Sequence, residues 1–265
     1  MILRFCQKRG AHAFARVNLT ALRVGVRFMF IPKPKLVDRA TAILDYARGR
    51  QVLHVGMGGQ VDDPEVTRTF IEKGLVDSLH ARLAKCAAAL TGIDINQNVL
   101  DAMAREVPGE YFRCDVSSNS DLREILGGRR YELILFADVI EHLDDFRTAL
   151  ANLKMLLTPD GVLLISTVNA YCFEAIVKLL FRYESVNPEH TCYFSYGTLS
   201  RLLAMNGLEI HEFMFYTIAD LHWFGSWAHR VSHYVGKAVV RLFPQYALGV
   251  IAVARPLEPD WLSAA

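Results

Sequence analysis

Gln51-Val-Leu-His-Val55 is a short apolar run that ends directly in Gly56, Gly58 and Gly59. A run of this length, closed by glycine, reads as a strand buried on both faces of a parallel sheet. Glycine lets the chain turn sharply after the strand and lets a ligand lie against the backbone. The same rhythm returns downstream. Strands are expected at Ala89–Asp94, Tyr111–Asp115, Tyr131–Ala137 and Val162–Val168, and later at Leu208–Tyr216 and Ala247–Ala254. Helical patterns separate them: Leu36–Ala47, Pro64–Lys73, Ser78–Ala88, a stretch capped by Asn96 and ending near Arg105, and a short one capped by Ser120. Another starts at Asp144 or Asp145 and runs to Leu157, and one covers Thr198–Asn206. Pro159-Asp160-Gly161 reads as a turn. Repeated strand–helix units mean an α/β protein whose parallel sheet carries helices on both faces.

Chemistry-bearing residues collect where the expected strands end. Asp94 closes Gly92-Ile-Asp94, and an acid there can accept both hydroxyls of a ribose. A helix N-cap is the competing role. Asp115 and Val116 follow the third strand as an acid beside an apolar side chain, a pair that can bond an adenine amine and pack on its ring. Asp138-Val-Ile-Glu141-His142-Leu143 follows the fourth, at the sheet edge where open α/β folds bind ligands. A dinucleotide fingerprint would need a glycine at position 61, which is Val61. An NAD-dependent oxidoreductase therefore stands as an alternative with a broken motif.

As a set, these motifs resemble the class I S-adenosylmethionine-dependent methyltransferases. The later Leu157-Thr-Pro-Asp-Gly161 turn and the stretch from Pro188-Glu-His190 through Phe194-Ser195 to Gly207 resemble the subgroup of ubiquinone-type O-methyltransferases and related small-molecule enzymes. The resemblance implies a Rossmann-like, doubly wound, seven-stranded mixed sheet with its last strand antiparallel, plus helical cap insertions. It implies S-adenosyl-L-methionine as cofactor. His54, Gly56, Met57 and Gly58 would pass beside its methionine part, Asp94 would meet the ribose with Ile95 next to it as a further cofactor contact, and Asp115 and Val116 would meet the adenine. Asp138 would sit near the methionine end.

Two positions depart from the family pattern. His54 stands where the family keeps an acid that helps hold the cofactor's amino group, and Gln60 stands for its third glycine. These departures keep a non-catalytic interaction protein as a second alternative. The stretch from Gly56 to Asp94 is long for such a unit, so residues 62–88 read as an insertion whose His80 can reach the pocket.

Methyl transfer to oxygen needs a base, and histidine suits neutral pH. His142, His190 and Asp138 are the expected catalytic residues. Asp138, Glu141 and His142 also repeat ligand types that ubiquinone-type enzymes associate with a divalent metal; no metal ligand is assigned. The acceptor is expected to be a small molecule, apolar or aromatic, methylated on oxygen.

Charge sets further limits. The net formal charge is +1, which gives no reason to expect nucleic acid. Five scattered cysteines suit a reducing compartment, and a cytoplasmic location is expected. Before Asp38 there is no acid, and between Asp220 and Glu258 acids are again absent. Residues 1–48 read as a basic helical arm or cap, which also resembles a targeting peptide. Residues 49–256 read as the catalytic domain, with caps at 170–196 and 220–246, and 257–265 as a tail. Apolar residues within 222–243 recur at helical steps opposite a basic face, which allows a peripheral membrane contact or a lid over the pocket.

Overall fold

The computed structural model describes residues 30–58, 64–184, 186–218 and 227–257. The expected N-terminal helix before Phe30 and Trp223 of the amphipathic stretch lie outside them, as do Gly59, Gln60 and Val61. The chain divides into Met1–Lys33 and Pro34–Ala265, and the second unit holds the whole sheet.

Its strands are β1 (Leu36–Asp38), β2 (Gln51–Val55), β3 (Ala89–Asp94), β4 (Glu110–Arg113), β5 (Tyr131–Ala137), β6 (Leu157–Val168), β7 (Leu208–Thr217) and β8 (Gly249–Pro256). They form one sheet in the order β1-β7-β8-β6-β5-β2-β3-β4. β8 runs antiparallel to both neighbours, β6 and β7, and every other pairing is parallel. The α/β class and the antiparallel last strand are as expected, but the sheet has eight strands rather than seven. The extra one was read as the start of a helix. Asp38 Oδ1 accepts from Thr41 N at 2.8 Å, so the helix α1 (Arg39–Ala47) begins after this cap. The residues before it are extended and pair with the edge of β7, Leu36 opposite Phe215.

The Pro159-Asp160-Gly161 turn lies inside β6, where Tyr131 pairs with Leu157 but Leu133 pairs with Val162. The turn signal marks a bulge in a long strand, not the strand's start.

The remaining helices are α2 (Pro64–Thr69), α3 (Leu79–Ala84), α4 (Gln97–Glu106), α5 (Asn119–Leu126), α6 (Phe146–Met155), α7 (Phe173–Leu180), α8 (Tyr196–Met205) and α9 (Trp227–Leu242). α5 begins one residue before the expected cap Ser120. The caps Asn96, Asp145 and Ser195 each accept an amide of the helix they start. Both sheet faces are covered. Leu53 and Val55 of β2 join a core with Leu150 and Leu153 of α6 and Leu199 and Leu203 of α8. Val52 packs on the other face with Ile43 and Ala47 of α1 and Leu83 of α3. Truncating a fully buried leucine such as Leu203 to alanine costs about 2–5 kcal/mol in cores of this kind. Among the described residues no helix is long and apolar enough to cross a membrane.

Candidate active site

The carboxyl ends of β2, β3 and β5 lie side by side, because these strands are parallel neighbours in register. Gly56 follows β2 with φ +68°, in the left-handed region where glycine meets no side-chain penalty. A Cβ at this position would stand 2.4 Å from Val139 Cγ2. The turn after β2 and the turn after β5 are therefore in direct contact, and only glycine fits between them.

Gly58 N donates to Asp94 Oδ2 at 2.9 Å, and Asn96 N donates to Asp94 Oδ1 at 2.9 Å. Asp94 is buried, and burial raises its pKa against these lowering amide bonds. Ile95, next to it, is an exposed apolar side chain. Asp115 is exposed and accepts from Ser117 N at 2.8 Å. Val116 is buried in the core, and its carbonyl accepts from Asn152 Nδ2 at 3.0 Å. Met57 turns inward, into a cluster with Leu75, Val99 and Met103.

His54 is also turned inward. Its Nδ1 lies 3.0 Å from Nδ1 of His80, and the rings stack with centroids 5.2 Å apart. His80 belongs to α3, and its ring stacks on His54 at the end of β2. A Cβ on Gly92 would fall 2.9 Å from His80 Cε1, so this glycine makes room for the ring. Burial, then the charges of His80 and Arg39, hold the His54 pKa well below its usual value.

Asp138 has φ +53°, the left-handed region again, here for a residue with a side chain. Its carboxylate is engaged on both oxygens. Arg39 pairs with Oδ2 at 2.6 Å, and Ser166 Oγ and Tyr216 Oη donate to Oδ1 at 3.0 and 3.3 Å. Arg39, Ser166 and Tyr216 were not expected at the site; they come from three separate elements, and no local pattern marks them.

Glu141, His142 and His190 form a separate cluster. Thr191 binds the 187–195 segment to the turn after β5: its amide donates to Glu141 O at 2.8 Å, and its hydroxyl reaches Glu141 O and Leu143 O. This staple sets the His142 and His190 rings edge to face, 4.7 Å apart. Glu189 Oε2 lies 3.8 Å from His142 Nδ1. Glu141 is fully buried, and neither of its carboxylate oxygens has a hydrogen-bond partner among the described residues; the same holds for His190 Nδ1. Burial and the charge of Asp138 push Glu141 up to about 7. Burial and neighbouring His142 lower His190. The ligand atoms of Glu141, His142 and His190 all lie within 4.8 Å of one another. Asp138 is absent from that set, so the metal ligands suggested by the sequence run are rearranged: Arg39 occupies Asp138, and His190 stands in its place.

A family model described as a methyltransferase domain matches residues 47–212. The ubiquinone biosynthesis O-methyltransferase of Coxiella burnetii (strain RSA 493 / Nine Mile phase I) is 25% identical over 180 residues, 62% of this chain and 69% of that protein. The enzyme of the same name from Actinobacillus pleuropneumoniae serotype 7 (strain AP76) is 28% identical over 126 residues, 46% and 47% of the two chains. Among solved structures, magnesium protoporphyrin IX methyltransferase from Synechocystis PCC 6803 with bound SAH superposes with a TM-score of 0.50 at 13% identity, covering 81% of this chain and 80% of that one. The CcbJ methyltransferase from Streptomyces caelestis gives 0.50 at 14%, covering 83% and 88%. These two likenesses are likenesses of fold.

Proposed function

This chain belongs to the methyltransferase-domain family of S-adenosylmethionine-dependent enzymes, and from that premise we propose that it methylates a hydroxyl oxygen of a small, largely apolar acceptor. The observation that carries the reading is the cluster of buried Glu141 with the half-buried His142 and His190: Glu141 and His142 follow Val139 on the turn that touches Gly56, and His190 comes from the 187–195 segment stapled to it. The Glu141 carboxylate and His190 Nδ1 are the polar groups of this cluster that an acceptor hydroxyl would meet.

The residues divide the work. The backbone at Gly56 and Gly58 leaves room for the methionine part of the cofactor. Asp94 accepts the ribose hydroxyls, while exposed Ile95 packs on the adenine, whose amine Asp115 can bond. Asp138, held by Arg39, shapes the methionine end. Bound there, S-adenosylmethionine would supply an electrophilic methyl carbon with a neutral thioether as its leaving group. His190 or His142 takes the acceptor's proton as its oxygen attacks. Both rings work as bases only when neutral, and burial favours the neutral form of His190. The relatives named as ubiquinone biosynthesis O-methyltransferases support oxygen as the methylated atom.

The cap supports an acceptor that arrives from an apolar phase. Leu179, Leu180 and Phe181 at the end of α7 are exposed, as are Tyr234, Val235, Leu242 and Phe243 of α9 and the residue after it. α7 and α9 pack together, with Phe173 lying against Gly236. No acid occurs between Asp220 and Glu258, so this lobe suits peripheral contact with an anionic bilayer.

The test is a product assay with methyl-labelled cofactor and matched phenol and aniline acceptors. Label in the phenol, with kcat lowered about 100-fold in His190→Ala, is the expected result. Label in the aniline alone would overturn the oxygen assignment. A second reading, favoured by the 4.8 Å cluster, is that the same trio holds a divalent cation. Activity lost to a chelator and restored by magnesium would establish it; activity indifferent to chelation would remove it.

A further inference from the structure

Tyr216 is a buried phenol, and β8 makes room for its ring. Gly249 pairs with Tyr216 between β7 and β8, and a Cβ added to Gly249 would run into that ring. Gly249 has no left-handed φ, so the ring and not the backbone accounts for glycine there. A buried hydroxyl needs a partner, and Tyr216 Oη meets Asp138 Oδ1 at 3.3 Å. An ionised carboxylate only accepts, so the phenol hydrogen lies on that contact. The hydrogen of Ser166 is assigned in the same way. Ser166 Oγ accepts from Arg39 Nε and Nη2 at 3.3 and 3.1 Å, and gives its own hydrogen to Asp138 Oδ1. Arg39 completes the network through its ion pair with Asp138 Oδ2, and its guanidinium lies 5.6 Å from the centre of the Tyr216 ring.

These partners fix a backbone conformation. Asp138 follows β5 with φ +53°, where a Cβ is disfavoured. Its amide donates to Ser166 O at 2.8 Å, and its carboxylate is bound by side chains of α1, β6 and β7. The next residue, Val139, supplies the Cγ2 that lies against Gly56, and Glu141 and His142 follow on the same turn. Resting on the function proposed above, we propose that Tyr216 and Ser166 are positioning residues. Through Asp138 they hold the turn after β5 in its left-handed form, and so set the cofactor wall at Val139 and the acceptor cluster at Glu141 and His142 together. Gly249 belongs to the same device, as the space that the Tyr216 ring occupies.

Calorimetry with S-adenosylhomocysteine tests this on folded variants, whose affinity a merely structural role would leave unchanged. Tyr216→Phe removes one buried hydroxyl and should weaken binding about threefold to tenfold. Asp138→Gly and Asp138→Ala both remove the carboxylate, and of the two only glycine takes the left-handed form freely. Asp138→Gly should therefore bind about fivefold to thirtyfold more tightly than Asp138→Ala. Equal affinity in the two Asp138 variants would mean that the carboxylate acts through its charge alone, and overturns the proposal. Unchanged affinity in Tyr216→Phe also overturns it. If Tyr216→Phe does not fold, the Asp138 pair decides. If the wild-type protein binds no S-adenosylhomocysteine at all, the cofactor reading fails by itself, and urea unfolding decides the turn. Tyr216→Phe should then lower the unfolding midpoint less in an Asp138→Gly background than in the wild type; equal shifts overturn the anchoring.

Discussion

At Gly58 an amide is bonded to a buried carboxylate at 2.9 Å, while at Leu180 and Phe181 more than three quarters of each residue faces solvent. Both regions lie within the same compact unit. Around the glycine turn the side chains named above are held by specific partners: Asp94 by two amides, Asp138 by three side chains, and His54 by His80. Around the cap, apolar groups are exposed, and the trio beneath the 187–195 segment has orphaned atoms. A site for a fixed cofactor gains from a backbone arranged in advance, since ordering costs are met during folding rather than on binding. A surface that must admit varied apolar molecules gains little from such fixing. The contrast explains why substitutions should act so differently in the two places.

The largest expected effect is at Gly56. Gly56→Val combines a left-handed φ with a collision against Val139. It should weaken S-adenosylhomocysteine binding by more than about 100-fold in calorimetry. Near-normal affinity would break the contrast at its firmest point.

Acid should come next. His80 has a folded pKa of about 4 against an ordinary 6.5. Above pH 6.5 neither state is protonated there; between 6.5 and 4 only the unfolded chain takes up the proton. Stability should therefore fall as pH drops through that window and level off below it, by on the order of 3 kcal/mol. Urea unfolding at several pH values measures this. In His80→Phe the dependence should shrink; an unchanged slope would place the acid sensitivity elsewhere.

The smallest effect on stability is expected at the cap. Leu180→Ser with Phe181→Ser removes exposed groups, so unfolding free energy should stay within about 0.5–1 kcal/mol. Binding to vesicles containing anionic lipid should nevertheless fall. A large loss of stability, with vesicle binding intact, would show the cap face to be packed rather than presented.

What the sequence disclosed follows the same division. The positions of Gly56, Asp94 and Asp138 at strand ends were legible because an apolar strand leads up to each, and strand ends follow from local patterning. The His54–His80 pair spans 26 residues, and Arg39 lies almost a hundred residues from Asp138; only the folded sheet brings such partners together. Leu36–Asp38 was misread because a three-residue strand is too short to show alternation, while the α1 pattern behind it is strong. Glu141 was visible as part of a ligand-like run, but its complete burial was not, since that depends on the Thr191 staple 50 residues away.

The central claim is that the glycine turn and Asp94 together hold S-adenosylmethionine, the turn beside its methionine part and Asp94 on its ribose. Calorimetric titration of S-adenosylhomocysteine into the wild-type protein and into Asp94→Asn tests it most directly. The expected result is saturable binding by the wild type and affinity lowered about tenfold or more in the variant, as the loss of a charged hydrogen-bond acceptor requires. Equal affinity in a folded variant, or no wild-type binding at millimolar ligand, would contradict it.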